Sequence, residues 1–245
     1  MDRQEFQLAY QPQVCLETGK VFGVEALLRW HSPELGQVPP DRFVPVAEKT
    51  GLMPELGDWV LVSAVRQARR WMEAGTPLRV SVNISATQMQ TGAFPARIQQ
   101  ILRRNKVPAA MIELEVTESM LIDNVEQNRA ILEEIRQSGV KLALDDFGTG
   151  YSNLAYLQHF VFDTLKIDRL FTKSLSGNDS RDVLVRAIIA TGRELVSDII
   201  AEGVETEEQN QVLQKLGCSK MQGYLFGRPM TAEDVELQIN SESQY

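Results

Sequence analysis

The sequence predicts an α/β protein built as a modified TIM (β/α)8 barrel with an antiparallel first strand. Short β-like runs alternate with amphipathic helical stretches, which is typical of strands joined by helical crossovers. The chain has 245 residues, 43% of them hydrophobic, which is enough for one large domain with a substantial core. We expect a single domain over residues 1–245. The start MDRQEFQLAYQP enters a strand almost at once, which fits a domain excised from a longer multidomain protein.

Eight runs have the composition of β-strands. In chain order they are FQLAYQPQVCL, VFGVEALLRW, LRVSVNIS, MIELEVTE, KLALDD, TLKID, DIIAEGV and MQGY. The first two are joined by ETGK, a short connection that contains glycine, so they are predicted to form an antiparallel hairpin. This hairpin is a departure from the regular barrel, in which all strands are parallel.

Helical periodicity marks the segments between several of these strands. Apolar residues recur at helical spacing from Met53 to Ala74 and again from Leu184 to Leu195. Thr206 and Gln209 form a capping-box pattern at the start of a further helix, and Gly217 supplies its end. These helices provide the crossovers that parallel strands need.

Composition and charge exclude several classes of function. The net charge is -8 and the pI is about 5.0, so binding of long nucleic acid is not expected. Cys15, Cys218, His31 and His159 lack the spacing of a zinc site. No apolar run reaches membrane-spanning length and no signal peptide opens the chain, so this segment is not expected to insert into a membrane. The expected location is cytoplasmic, either free or as the cytosolic domain of a membrane-anchored protein.

Polar residues interrupt the predicted strands, mostly towards their C-terminal ends. In a barrel those ends converge on one face, where active sites form. The residues are Glu25, Asn83, Glu115, Glu118, Asp145, Asp146, Lys166, Asp168, Glu202 and Gln222. Taken singly, each acidic residue is more often a turn residue, a helix cap or a salt-bridge partner, and the adjacent aspartates alone are a weak signal.

The combined charge of these residues predicts a metal site. Glu25, Glu115, Asp145, Asp146 and Glu202 would converge with Lys166 as the only obvious cation. Like charges at close range raise pKa values or require counterions, and all-oxygen ligands suit Mg²⁺ or Mn²⁺. Adjacent aspartates can serve two ions, and two ions can clamp a phosphoryl group for in-line displacement. The pattern alone also fits an unrelated barrel lyase or isomerase with a lysine base.

The motifs around these residues resemble those of the EAL-domain family, the bacterial cyclic-di-GMP phosphodiesterases. The namesake triplet is Glu25-Ala26-Leu27. The other motifs are YQPQV, NIS, ELEVTES, DDFGTGYSNL, LKID, AEGVET and QGYLFGRP. The resemblance runs from about Phe6 to Pro229, and the family fold is a modified TIM barrel with an antiparallel strand.

The resemblance implies a ligand set for two divalent cations, Mg²⁺ or Mn²⁺. The implied metal ligands are Glu25, Asn83, Glu115, Asp145, Asp146 and Glu202. Asp145 would bridge the two ions, and Asp146 and Glu202 would serve only the second. Lys166 would contact the attacking water, so the implied catalytic residues are Lys166, Glu25, Asp145 and Asp146. Ca²⁺ is expected to bind but to inhibit, because its longer bonds misplace the water.

The resemblance also implies residues outside the metal pair. Gln11 and Arg29 would hold the dinucleotide, and Asp168, Glu205 and Gln222 match further positions around the substrate. Glu118 would support the loop from Phe147 to Leu154, which is linked to homodimer formation. The departures from the family pattern, Asn153 and the sequence NIS, remove no metal ligand.

The implied activity is hydrolysis of cyclic-di-GMP to linear 5'-pGpG by two-metal activation of water. Because no implied metal ligand is missing, an active hydrolase is favoured. The alternative within the family is a catalytically inactive cyclic-di-GMP receptor module that signals through a partner. Regulatory domains are expected outside this chain.

Overall fold

A computed structural model of the chain describes residues 5–122, 124–148, 159–175 and 182–242. Nine strands form one sheet in the order β1-β9-β8-β7-β6-β5-β4-β2-β3. A further pairing of β1 with β2 closes the sheet into an eight-stranded barrel, and β3 is added outside the ring on β2. The predicted modified TIM barrel is therefore confirmed.

The strand bounds agree with the sequence patterns to within a few residues. The strands are β1 (Phe6–Cys15), β2 (Lys20–Ser32), β3 (Gly36–Val38), β4 (Arg79–Asn83), β5 (Ile112–Thr117), β6 (Lys141–Phe147), β7 (Thr164–Ile167), β8 (Asp198–Ala201) and β9 (Lys220–Gln222). The short strand β3 was not predicted, because three residues give too little periodicity to detect.

Helices cover the outside of the barrel between the strands. In the described residues they are α1 (Pro40–Lys49), α2 (Met53–Glu73), α3 (Ala86–Met89), α4 (Phe94–Asn105), α5 (Glu118–Ile122), α6 (Val125–Gln137), α7 (Arg169–Lys173), α8 (Val183–Leu195), α9 (Glu207–Lys215) and α10 (Ala232–Glu242), with a 3₁₀ turn at Ala109–Met111. The predicted capping box of α9 is present, since Thr206 and Gln209 bond reciprocally. Within the described part of the chain, no helix is both long and apolar enough to cross a bilayer.

The first strand is antiparallel to β2, as the ETGK hairpin predicts, and also to β9. Gln11 pairs with Glu25 of β2, and Gln13 pairs with Gly23 of β2 and Gln222 of β9. All other pairings around the ring are parallel. The C-terminal ends of β2 and β4–β9 therefore share one face, on which β1 also presents Gln11.

Packing of α2 against the barrel illustrates how the helices are held. Its apolar positions recur every three or four residues, so one face of the helix is buried, and Trp71 on that face is fully buried. The Trp71 ring meets the Tyr10 ring of β1 edge to face, with 5.0 Å between ring centroids. This packing fixes β1, which carries Gln11 and Gln13 into the barrel.

Candidate active site

A polar cavity of about 520 Å³ opens at the face where the parallel strands end. Its lining contains eight of the residues singled out in the sequence, contributed by different strands and by the loops that follow them. They are Gln11, Glu25, Asp145, Asp146, Asp168, Glu202, Glu205 and Gln222. The barrel therefore brings together residues that are far apart in sequence, as expected for the catalytic face of this architecture.

Arg29 of β2 and Asn83 of β4 line a second cavity of about 560 Å³. Asn83 links the two cavities, because its Nδ2 donates a hydrogen bond of 2.7 Å to Glu25 Oε1. The half-buried Arg29 donates from Nη1 to the Leu28 carbonyl at 3.0 Å, and burial lowers the pKa of its guanidinium.

Lys166 lies at the centre of the carboxylate cluster and is fully buried. The distances from its Nζ to carboxylate oxygens are 2.6 Å for Glu202, 2.8 Å for Glu115, 3.4 Å for Glu25 and 3.7 Å for Asp145. Although burial alone would lower it, the pKa of Lys166 is raised well above its ordinary value by these negative neighbours. Lys166 is therefore held as an ammonium group.

One ammonium group does not balance the surrounding negative charge. Burial, together with the charge of Glu25, raises the pKa of Glu115 well above its ordinary range. Burial, with Asp145 and Glu25 nearby, raises the pKa of Glu202 to about 8. Glu25 is the exception, because Lys166 and hydrogen bonds from Gln222 and Asn83 outweigh burial and lower its pKa. The cluster has more carboxylates than the local cation can stabilise in ionised form.

A β-bulge explains how two adjacent aspartates can face one cavity. Successive side chains of a regular strand point to opposite faces. The register between β6 and β7 shifts between Leu144 and Phe147, and Asp146 adopts a left-handed backbone conformation with φ of 54°. The Asp146 N–H donates to Asp145 Oδ1 at 2.9 Å, and burial with the Asp145 charge raises the pKa of Asp146 to about 6. Asp145 and Asp146 therefore both line the cavity.

The predicted substrate residues have different surroundings. Gln222 is buried and donates from Nε2 to Glu25 Oε2 at 2.5 Å and to Gln11 Oε1 at 3.3 Å. Asp168 caps α7 by accepting a 2.8 Å bond from Leu170 N–H, so it already has a structural partner. Glu205 is exposed at the rim, so its side chain is open to solvent.

The oxygen donors of the cluster are of the kind that bind the divalent cations predicted from the sequence. Glu115 Oε1 is buried and has no hydrogen-bond partner among the described residues, and it lies beside carboxylates whose pKa values are raised. Hard oxygen donors with excess negative charge suit Mg²⁺ or Mn²⁺. Within the described ranges, no group of three or more His, Cys, Asp or Glu side chains is arranged to hold a metal ion, and Glu115 and Glu202 instead contact Lys166 Nζ.

A family model described as the EAL domain matches residues 1–229. The chain belongs to the EAL-domain family. It is 43% identical over 236 residues to the bifunctional diguanylate cyclase/cyclic di-GMP phosphodiesterase MucR of Pseudomonas aeruginosa, covering 96% of this chain and 34% of MucR. It is 39% identical over 236 residues to the cyclic di-GMP phosphodiesterase PdeR of Escherichia coli, covering 96% of this chain and 36% of PdeR. The chain thus spans about a third of the length of these curated relatives.

Solved structures of EAL domains share the fold. The PaMucR phosphodiesterase in complex with c-di-GMP superposes with a TM-score of 0.90 at 43% identity, covering 96% of this chain and 95% of that chain. The EAL domain of Mycobacterium smegmatis DcpA superposes with a TM-score of 0.81 at 32% identity, covering 96% of each chain. The whole barrel, including its antiparallel first strand, therefore corresponds to an EAL domain.

Glu118 of this EAL domain lies at the start of α5 and is buried. Its Oε2 accepts a long hydrogen bond of 3.4 Å from the Gly148 N–H, at the end of the Asp145-Asp146 strand. Support of the following loop by Glu118 stays a prediction. The predicted dimer interface covers residues 146–160, of which 149–158 lie outside the described residues, so the dimer stays a prediction.

Two cations at the mouth of the EAL-domain cavity were missed in the sequence. Arg169 and Lys173 line the cavity, and both are exposed. Gly203 lets the chain pass close to Arg169, because a Cβ at Gly203 would lie 2.4 Å from the Arg169 Cβ. Their position in the sequence could have indicated them, because both follow the LKID motif directly. Arg169 begins the short helix α7 and Lys173 ends it.

Proposed function

We propose that this chain hydrolyses one phosphodiester bond of cyclic-di-GMP, giving linear 5'-pGpG, in a reaction that requires Mg²⁺ or Mn²⁺. The observation that carries the proposal is the buried carboxylate cluster beside the polar cavity, in which the single ammonium group of Lys166 is shared by four carboxylates. The similarity to a phosphodiesterase solved in complex with c-di-GMP, at 43% identity over nearly the whole of both chains, supports this substrate.

The proposed cation ligands are the six oxygen-donor residues named from the sequence. They are Glu25, Asn83, Glu115, Asp145, Asp146 and Glu202. When bound, divalent cations would lower the pKa of a coordinated water and stabilise negative charge on the phosphoryl oxygens. The raised pKa values of Glu115 and Glu202 support this assignment, because a bound cation would offset both the burial and the neighbouring negative charges that raise them.

The proposed role of Lys166 follows from its protonation state. The four carboxylates around its Nζ raise its pKa and favour the ammonium form, so we assign it the role of a fixed positive charge that orients the water or offsets charge that develops on the phosphoryl group. The same observation disfavours the barrel lyase or isomerase with a lysine base, because such a base must be neutral at the working pH.

The remaining polar residues are proposed to hold the dinucleotide. Gln11 and Gln222 line the cavity next to Glu25, and Arg29 lies in the neighbouring cavity that Asn83 connects to it. Arg29 presents a guanidinium that can bind a phosphate through two parallel hydrogen bonds. Asp168 and Glu205 are acceptors at the wall and rim and are proposed to contact donors on the guanine or ribose.

One experiment tests the activity. The purified chain is incubated with cyclic-di-GMP and Mn²⁺ or Mg²⁺, with and without excess chelator, and the products are separated by chromatography. We expect 5'-pGpG only in the reactions with Mn²⁺ or Mg²⁺ and no excess chelator. We expect no product from the Asp145→Asn variant. Full activity in chelator would reject the metal-dependent mechanism. Tight binding of cyclic-di-GMP without turnover under any cation would instead support the receptor alternative.

Assembly and context are also proposals. A homodimer is proposed from the loop motif DFGTGYSNL, and regulatory domains outside this chain are supported by the greater length of the curated relatives. A cytoplasmic location stays a prediction from the sequence. Light scattering at high micromolar concentration would check the dimer, and a monomer with full activity would contradict any coupling between the dimer and the site.

A further inference from the structure

Gln13 is a fully buried polar residue that no motif assigned to the site. It lies on β1, one layer below Gln11, and pairs in register with Gly23 of β2 and Gln222 of β9. Its side chain points into the barrel from below the carboxylate cluster. A fully buried amide is unusual in a barrel core, where apolar side chains normally fill the layers.

A chain of hydrogen bonds connects Gln13 to the cluster. Gln13 Nε2 donates to Gln222 Oε1 at 3.0 Å. Gln222 Nε2 in turn donates to Glu25 Oε2 at 2.5 Å and to Gln11 Oε1 at 3.3 Å. Gln13 is therefore not part of the cavity lining, but it is hydrogen-bonded to Gln222, which donates to Glu25.

The chemistry of Glu25 fixes the direction of this chain of bonds. Lys166 Nζ, which can only donate, lies 3.4 Å from Glu25 Oε2, and Asn83 Nδ2 donates to Glu25 Oε1 at 2.7 Å, so Glu25 is surrounded by donors and acts as an acceptor. Gln222 must therefore turn its nitrogen to Glu25 and its oxygen away from it. The group that meets this oxygen is Gln13 Nε2, which is a donor. A rotated Gln222 amide would place an oxygen against the Glu25 carboxylate.

The other end of the Gln13 amide has a cost to stability. Gln13 Oε1 is buried and has no hydrogen-bond partner in the described part of the chain. An unpaired buried acceptor costs folding free energy, and an apolar side chain of the same shape would avoid this cost. Gly23 makes room for this side chain, since a Cβ there would lie 3.0 Å from Gln13 Oε1 and 3.1 Å from the Arg79 carbonyl oxygen.

We propose that Gln13 is a positioning residue, which holds the Gln222 amide in the one orientation that presents a donor to Glu25. By this contact it keeps Gln222 Nε2 on Glu25 Oε2, while Glu25 Oε1 accepts from Asn83 Nδ2. The inference rests on the proposed function in one respect, namely that Glu25 is taken as a cation ligand. Residues that orient a metal ligand commonly change metal affinity tenfold or more when they are replaced.

Two substitutions test the proposal, with one matched control. Gln13→Met keeps the length of the side chain but removes the donor. Gln13→Glu replaces the donor with an acceptor, which would draw Gln222 Nε2 away from Glu25. Gln7→Met makes the first change at an exposed position on the same strand. Each protein is checked by circular dichroism and thermal unfolding, and Mn²⁺ affinity is measured by isothermal titration without nucleotide.

We expect the Mn²⁺ dissociation constant to rise about tenfold in Gln13→Met and further in Gln13→Glu. We expect no change in Gln7→Met, and a melting temperature for Gln13→Met close to that of the unaltered chain. Turnover by Gln13→Met should recover when the Mn²⁺ concentration is raised by the same factor as the dissociation constant. A folded Gln13→Met protein whose Mn²⁺ affinity is within twofold of the unaltered chain would overturn the proposal. Failure of both variants to fold would also overturn it, since Gln13 would then be a structural residue.

The titration also separates this proposal from the proposed function. Weakened Mn²⁺ binding in Gln13→Met, with no hydrolysis of cyclic-di-GMP by the unaltered chain, would support the positioning role and reject the hydrolase. Normal hydrolysis by the unaltered chain, with unchanged Mn²⁺ affinity in both variants, would support the hydrolase and reject the positioning role. Absence of Mn²⁺ binding by the unaltered chain would overturn both.

Discussion

Glu113 and Glu115 lie two residues apart on β5, point into the same barrel and are 0% and 1% exposed, yet they are bound differently. Both oxygens of Glu113 accept hydrogen bonds, from Thr164 Oγ1 at 2.7 Å and Ser81 Oγ at 2.9 Å. Arg79 Nη1 lies 3.3 Å from Glu113 Oε1. Glu113 is therefore a satisfied buried carboxylate.

Glu115 lacks such partners. Its Oε2 is 2.8 Å from Lys166 Nζ, a cation that it shares with three other carboxylates, and its Oε1 has no hydrogen-bond partner in the residues the structure describes. The comparison teaches that burial alone does not distinguish the two carboxylates. Glu115 differs from Glu113 because its burial is combined with too little positive charge nearby.

The largest expected effect is on turnover in Glu115→Gln. Removing this charge should weaken cation binding and lower kcat about a thousandfold, a loss of about 4 kcal/mol of transition-state stabilisation. Steady-state kinetics at saturating Mn²⁺ checks it. Glu113→Gln is the matched control on the same strand and should keep turnover per folded molecule. A folded Glu115→Gln protein with normal turnover would remove the contrast between the two glutamates.

Lys166→Ala should lower kcat about a hundredfold, with a smaller change in KM, because a fixed charge that acts on the phosphoryl group contributes most in the transition state. The control is Lys141→Ala, which removes a cation paired with Asp163 at the opposite end of the barrel. An unchanged kcat with a raised KM would instead give Lys166 a substrate-binding role.

Divalent cations should stabilise the folded chain through the Glu115 cluster. At 100 times its dissociation constant, Mn²⁺ is expected to add about 2.7 kcal/mol to the free energy of unfolding, measured by urea titration. Glu113→Gln should retain this increment and Glu115→Gln should lose most of it. Ca²⁺ should also stabilise the chain but should support little turnover. Equal stabilisation of both variants would place the cation site elsewhere.

The smallest expected effect is on the stability of Glu113→Gln without cations. The substitution leaves Arg79 without its closest buried counter-charge and turns one acceptor into a donor, so it should cost about 1–3 kcal/mol of unfolding free energy. Urea unfolding measures this cost. Ser81→Ala, which removes a single neutral hydrogen bond to Glu113, serves as the milder control at about 1 kcal/mol. A Glu113→Gln protein as stable as the unaltered chain would show that the network around Glu113 is dispensable.

The position of each candidate ligand along the chain could be read from the sequence, but its contacts could not. The adjacent aspartates pointed to a shared site, yet the bulge in β6 and the left-handed conformation of Asp146 that bring both into the cavity leave no periodic signature. Asp168 was assigned to substrate only, whereas it also caps α7. Gln13 was within a recognised motif, and only its bond to Gln222 shows what it contacts.

The sequence by itself determined the alternation of strands and helices, the antiparallel hairpin and the acidic face of the barrel. These depend on local periodicity, turn chemistry and the rule that parallel strands end on one face. Only the tertiary structure decided which buried charges are satisfied. Closure of the barrel brings Gln13 to Gln222 and Lys166 to Glu25, across more than a hundred residues of chain. Such partners cannot be inferred from neighbours in sequence. They are also what makes the surroundings of Glu115 different from those of Glu113.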